Sequence, residues 1–280
     1  MDPLVSTEWL AGELGSPDLR VIDATLFMPN SGRDARAEYE GEHIPGAVFL
    51  DLEEVVDSAN PAPHMLPPEP KFASRMQTLG LRDGSRFVVY DNSPVRSAAR
   101  AWWMLKTFGA HYVAILDGGL QKWKAEGKPV ESGRPHVRHG HFSPLFDADA
   151  VADKELVRAN IDARQYEVVD ARSAARFSAE EPEPRPGLAG GHVPGSRNLH
   201  YAQLFNDDGT WKRGDELRAA FDRAGVDLSR PMITTCGSGV TAAVLLFGAQ
   251  LLGKHDVKLY DGSWSEWGAD PQLPKATGAP

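Results

Sequence analysis

Short apolar runs that end on a polar residue alternate along this chain with longer stretches whose apolar positions recur every three or four residues. That is the pattern of a sheet whose strands feed helices. Strands are predicted at 20–23, 47–50, 86–90, 113–116, 167–170, 197–199, 231–235 and 257–260. Helices are predicted at 6–14, 70–79, 96–108, 119–126, 150–160, 214–224, 240–252 and 263–267. The segment GVTAAVLLFGAQLL at 239–252 is apolar almost all round, which suits a helix packed against a sheet. The whole pattern also occurs twice. GEHIPGAVFLDL at 41–52 parallels GGHVPGSRNLHY at 190–201, and RVIDA at 20–24 parallels EVVDA at 167–171. RFVVYD at 86–91 then parallels PMITTC at 231–236, and AILDGGLQKW at 114–123 parallels KLYDGSWSEW at 258–267. Four matching blocks in one order predict two tandem α/β domains, each a mainly parallel sheet flanked by helices. Gly127 to Asp147 lacks a regular period and carries Pro129, Pro135 and Pro144. Domains at 1–135 and 150–280, with 136–149 as linker, are therefore expected, and a cleft between such domains is a common place for a small ligand.

Composition narrows the classes of function. With 280 residues, 41% of them hydrophobic, the chain can bury a full core in each half without metals or disulfides. Its 30 basic and 39 acidic residues leave a formal charge of -9, which argues against a nucleic-acid footprint built of clustered Lys and Arg. Cys236 is the single cysteine, so an intrachain disulfide and a site of several thiolates are both excluded. A lone thiol fits a reducing compartment. The first residues, MDPLVSTEWLAGELGSPDLR, hold neither a basic nor an apolar leader pattern, and no apolar run of membrane-spanning length follows. A soluble cytoplasmic protein without membrane partners is expected.

Chemistry is concentrated in one loop. Cys236 ends the apolar run PMITT and is followed by GSGVT and the apolar helix, giving strand, tight loop, helix. Gly237 and Gly239 permit backbone angles that let the amides of residues 237–241, including Val240 and Thr241, curl towards an atom held near the sulfur. The N-terminal end of the helix adds positive potential that favours the ionised thiol. A packed, inert thiol is the bland alternative for any lone cysteine. A cysteine phosphatase would use such a loop as well, but it wants a guanidinium for the equatorial oxygens, and no Arg lies between Cys236 and Ala242. The glycine pattern at 237–242 superficially matches a dinucleotide loop, yet it comes late in its repeat rather than early.

With these residues in view, the whole chain resembles the two-domain rhodanese superfamily, and within it the sulfurtransferases that use 3-mercaptopyruvate. The loop C-G-S-G-V-T at 236–241 is similar to the mercaptopyruvate version, whereas thiosulfate-using relatives place Arg and Lys directly after the cysteine. The H-I-P-G and H-V-P-G turns at 43–46 and 192–195 resemble the family's structural signature in each half. The resemblance implies a catalytic C-terminal copy and an N-terminal copy without its cysteine, in keeping with Asp91 opposite Cys236. It also implies that Arg176 and Arg185, in RFSAEEPEPRPG, grip a substrate carboxylate. A planar α-keto acid carboxylate suits two parallel guanidinium hydrogen bonds. By the same resemblance, His64 comes from the N-terminal half to the cleft, Ser238 is the serine two places after the nucleophile, and Glu53 stands behind the histidine. Together they would form a proton relay.

The expected activity is sulfur transfer from 3-mercaptopyruvate through a Cys236 persulfide to a small thiol, a thioredoxin-like protein or cyanide, with release of pyruvate. No cofactor or metal is expected, and a monomer suffices. His136, His139 and His141 have ligand-like spacing, but nothing nearby completes a set. His43 and His192 are expected to be structural, and Trp102, Trp103, Trp123 and Trp267 to be packing residues. Two rival functions stay open at this level. One is a thiosulfate:cyanide sulfurtransferase, and the other is a non-catalytic tandem module that binds a partner.

Overall fold

Each half of the chain builds a five-stranded sheet in which every paired strand is parallel. In the first half the strands are β1 (Leu4–Val5), β2 (Leu19–Asp23), β3 (Val48–Phe49), β4 (Arg86–Tyr90) and β5 (Tyr112–Leu116). In the second they are β6 (Val151–Ala152), β7 (Glu167–Asp170), β8 (Arg197–Asn198), β9 (Met232–Thr235) and β10 (Val257–Tyr260). The orders are β1-β5-β4-β2-β3 and β6-β10-β9-β7-β8, the same topology twice. The central strands, β4 and β9, are buried over all but the first residue of β4. Val88 of β4 lies opposite Val21 and Ala114, and Ile233 of β9 lies opposite Val168 and Lys258. All four edge strands are only two residues long, which leaves little open edge for another chain to pair with.

The structure, a computed structural model, describes residues 1–29 and 31–279. All eight predicted strands are present, three with the expected bounds and five displaced by one residue at one or both ends. Edge strands β1 and β6 were not predicted, because two residues carry no periodicity to read. The helix expected at 150–160 is Lys154–Ala163 instead. Residues 151–152 pair with β10, and the Asp153 carboxylate caps the helix by accepting from the Leu156 amide at 2.7 Å. Two short helices were also missed, Ala35–Gly41 and Ala174–Ser178, capped by Asp34 and Ser173. The apolar helix is Ala242–Leu251, with buried residues on every side, as its composition requires.

Two compact units emerge. The first holds Met1–Asp57, Leu66–Asp147 and Asn206–Trp211; the second holds Ser58–Met65, Ala148–Phe205 and the chain from Lys212 onward. Residues expected as linker lie along the first unit. Gly140 donates to Gln77 O at 2.8 Å, Leu145 donates to Phe108 O at 3.1 Å, and Phe142 is buried against Phe72. The matched tryptophans are core in both units, Trp123 donating to Pro129 O and Trp267 to Pro274 O. Among the described residues no helix is long and apolar enough to cross a membrane.

Candidate active site

The carboxyl ends of parallel strands are where the connecting loops gather, and β9 is the central strand of the second sheet. Cys236 follows it directly, buried, at the start of the loop that leads into helix Ala242–Leu251. That loop is tied down from below. The Cys236 carbonyl accepts from the Trp264 amide at 2.9 Å, and the Gly237 carbonyl accepts from the amide of Ser265 at 2.8 Å and its hydroxyl at 2.6 Å. Ser263 Oγ accepts from the amides of Cys236 at 3.2 Å and Gly239 at 3.1 Å, while donating to Tyr260 O at 2.8 Å. This corrects one expectation. The Gly239 amide, expected among the inward-facing set, is engaged by the Ser263 hydroxyl. Among the described residues the amides of Gly237, Ser238, Val240 and Thr241 make no hydrogen bond.

The matching loop of the first unit reveals what such amides hold. Asp91 stands in the place of Cys236, and its carboxylate accepts from the Ser93 amide at 2.9 Å and the Ala98 amide at 2.7 Å. Burial raises the Asp91 pKa, against the pull of those two amides. A fixed carboxyl group fills the first loop, and a thiol occupies that position in the second.

Both predicted arginines reach the loop. An ideal Cβ placed on Gly237 would stand 3.1 Å from Arg176 Nη2 and 4.0 Å from Arg185 Nη1, so glycine gives the guanidiniums room beside the nucleophile. Helix Ala174–Ser178 carries Arg176, and the proline-rich stretch after it carries Arg185. His200, at the end of β8, is half-buried, and its pKa is lowered by burial and by the charge of Arg176. His64 belongs to the second unit through the segment Ser58–Met65, and its Nδ1 lies 2.8 Å from Ser238 Oγ. It is buried with φ 62, a left-handed conformation that side chains seldom adopt without a local reason. Glu53 is exposed and falls in the first unit, its amide donating to Asp51 Oδ1 at 3.1 Å.

Sequence reasoning missed two members of this region, Ser263 and Glu183. The signal for Ser263 was the change from DGGL at 117–120 to DGSW at 261–264, a serine where the first copy has glycine. Glu183 carried no separate signal in a stretch full of Glu and Pro. A cavity of about 490 Å³ in the second unit lies elsewhere, against the HVPG turn, with His192, Pro194, Arg197 and Arg230 in its lining and Cys236 absent from it. The chemistry, rather than the volume, marks the site.

The family described as Rhodanese-like domain matches residues 6–126 and 153–270. The 3-mercaptopyruvate sulfurtransferase of Escherichia coli (strain K12) is 44% identical over 271 residues, covering 96% of this chain and 96% of that protein. The Mus musculus 3-mercaptopyruvate sulfurtransferase is 43% identical over 270 residues, with 94% and 91% covered, and a Cricetulus griseus thiosulfate sulfurtransferase is 43% identical over 272 residues, with 94% and 91% covered. The crystal structure of SseA from Escherichia coli, described as a "Rhodanese" fold, superposes with a TM-score of 0.87 at 41% identity, covering 95% of this chain and 100% of that one.

Proposed function

The chain belongs to the rhodanese family, and from that premise we propose that it is a sulfurtransferase carrying sulfur from 3-mercaptopyruvate to an acceptor through a persulfide on Cys236. The Cys236 thiolate attacks the donor sulfur. A sulfur–sulfur bond forms, the bond from sulfur to C3 breaks, and its electron pair stays with the departing enolate of pyruvate. The enolate takes one proton at C3, and the proton of the donor thiol is lost from the outer sulfur. The Ser238–His64 pair is the proposed conduit for the C3 proton. Arg176 and Arg185 hold the donor carboxylate. A thiol or cyanide then attacks the outer sulfur and restores Cys236. Because the sequence offers no second cysteine, the acceptor is external: a small thiol or a thioredoxin-like protein, met by a monomer in the cytoplasm.

One observation carries this reading. In the first unit two loop amides close on the Asp91 carboxylate, and in the second the amides of Gly237, Ser238, Val240 and Thr241, which follow the single thiol directly, have no partner among the described residues. Turned to a persulfide on Cys236, such amides would stabilise its charge as an oxyanion hole does on oxygen. Thiosulfate is the rival donor. It is a dianion without a carboxylate, and the positions next to the nucleophile are Gly237 and Ser238 rather than cations.

The test is to give the protein 3-mercaptopyruvate without acceptor and to measure pyruvate and intact mass together. One pyruvate and one added sulfur atom per chain are expected, with neither from Cys236→Ser. Sulfur retained by Cys236→Ser would defeat the assignment. Between donors, kcat/KM for 3-mercaptopyruvate should exceed that for thiosulfate by at least about tenfold, the worth of one charge-assisted hydrogen bond. The reverse order would transfer the function to the thiosulfate reaction.

A further inference from the structure

The Glu183 side chain is only 2% exposed and stands between two guanidiniums. Its Oε1 accepts from Arg172 Nη1 at 2.7 Å, and its Oε2 accepts from Arg176 Nη2 at 2.6 Å, with Arg176 Nε 3.3 Å from Oε1. Behind it Arg172 is fully buried. Its Nε and Nη2 bond to Asp170, its Nη2 also donates to Gly191 O at 2.8 Å, and its guanidinium carbon lies 4.5 Å from the centre of the Trp264 ring. Asp170, Arg172, Glu183 and Arg176 therefore form a charge-balanced chain that runs from the end of β7 to the backbone of Gly237.

A guanidinium offers a carboxylate either its side, through Nε and one Nη, or its end, through both Nη atoms. Glu183 already holds the side of Arg176. The parallel pair expected between Arg176 and a donor carboxylate must then be made at the Nη1/Nη2 end, next to Gly237. A long, unrestrained arginine loses rotamer freedom when it binds; an arginine clamped beforehand does not. We infer that Glu183 is a positioning residue that clamps Arg176 so that the free end of its guanidinium meets a carboxylate beside Cys236, which makes the site selective for carboxylate-bearing donors. This rests on the reading of Arg176 given above.

Because the sequence has one cysteine, alkylation reports on one atom. Iodoacetate carries a carboxylate and iodoacetamide does not. The ratio of their rates at Cys236, normalised to the ratio at free cysteine, therefore measures carboxylate steering without any sulfur transfer. The native protein should favour iodoacetate. Glu183→Gln should lower the normalised ratio about tenfold, as expected when one charge-assisted contact is lost, and Arg176→Met should lower it at least as far. The iodoacetamide rate should stay within about twofold, the magnitude of a minor packing change. KM for 3-mercaptopyruvate should rise with the loss of the ratio, and more than kcat falls. Glu183→Asp keeps the charge in the buried chain, so it should fold even if Glu183→Gln fails to, and it should restore part of the ratio. A folded Glu183→Gln protein with the native ratio, no preference in the native protein, or failure of both Glu183 variants to fold would each overturn the inference. A native preference that Glu183→Gln abolishes, in a protein that forms no pyruvate, would sustain the clamp and remove the proposed donor.

Discussion

Ser263 sits where glycine would be easier. It has φ 48 and is fully buried, and its counterpart in the first unit is Gly119 at φ 57. The two positions share one backbone bond: Leu120 N to Asp91 O at 3.1 Å in the first unit, and Trp264 N to Cys236 O at 2.9 Å in the second. A Cβ on Gly119 would collide with Asp91 O, so the first unit has no space for a serine without adjustment. In the second unit the left-handed serine carries a conformational cost of about 1–3 kcal/mol, offset by a hydroxyl that receives two loop amides. Ser263→Gly should relieve that strain and leave the Tm within a few degrees of native, because strain and hydrogen bonds are lost together. The amides of Cys236 and Gly239 would lose their acceptor, and kcat/KM should fall by about tenfold or more. Steady-state pyruvate formation beside a thermal melt measures both effects. Full activity in this variant would mean that the loop holds its own shape.

The repeated H-x-P-G turn shows which elements were legible. His43 stacks on Tyr39 with Nδ1 2.7 Å from Tyr39 O, and His192 stacks on Phe177 with Nδ1 2.9 Å from Phe177 O. Each histidine also forms an isolated antiparallel bridge, to Glu131 and to Ala276. Such a motif recurs in both copies because it builds the turn, so duplication alone separated these histidines from a site found in one copy. Central strands and long helices were readable from local period. The two-residue edge strands and Ala174–Ser178 were not, because they exist only where a neighbour pairs with them. Glu183 was illegible for a related reason: in the run EEPEPR any glutamate could face water, and only the fold buries this one. Burial of the turn also has a pH signature. His192 has a pKa lowered from the ordinary 6.5, first by burial, with the charge of Arg172 adding to it. Below about 6.5 the unfolded chain takes up a proton that the folded chain does not. Stability is therefore full above that value and falls with acidification, by at most about 1.4 kcal/mol per pH unit for one proton. In urea unfolding, the deficit of His192→Gln relative to native should shrink by up to about 1 kcal/mol between pH 8 and pH 5.5. A constant deficit would mean that folding leaves the proton affinity of this imidazole unchanged.

At the scale of the molecule, the sequence repeat and the compact units do not coincide. Ser58–Met65 lies in the first half of the chain yet belongs to the second unit, and its two flanking residues, Asp57 and Leu66, belong to the first. Asn206–Trp211 does the reverse, flanked by Phe205 and Lys212 of the second unit, with the Trp211 amide donating to Asp117 Oδ1 at 2.8 Å. Periodicity could not reveal this exchange, because each segment is a loop whose partner lies in the other half. It has a consequence for function, since His64 reaches Ser238 only through the first of these segments. Unfolding the first unit would release both anchors of Ser58–Met65, and unfolding the second would release both anchors of Asn206–Trp211. Neither unit can lose its structure and leave the other with all its parts. The chain should accordingly unfold in urea as one transition rather than two. Far-ultraviolet circular dichroism, tryptophan fluorescence and the accessibility of Cys236 to a thiol reagent should give superimposable curves with a common midpoint. His64→Ala should slow pyruvate formation about a hundredfold, the lower range for loss of a proton-transfer group, without separating those curves. Cys236 becoming reactive at a urea concentration where most of the dichroism persists would mean that the second unit opens alone, and the exchanged segments would then be ornaments of the fold rather than the ties that make it cooperative.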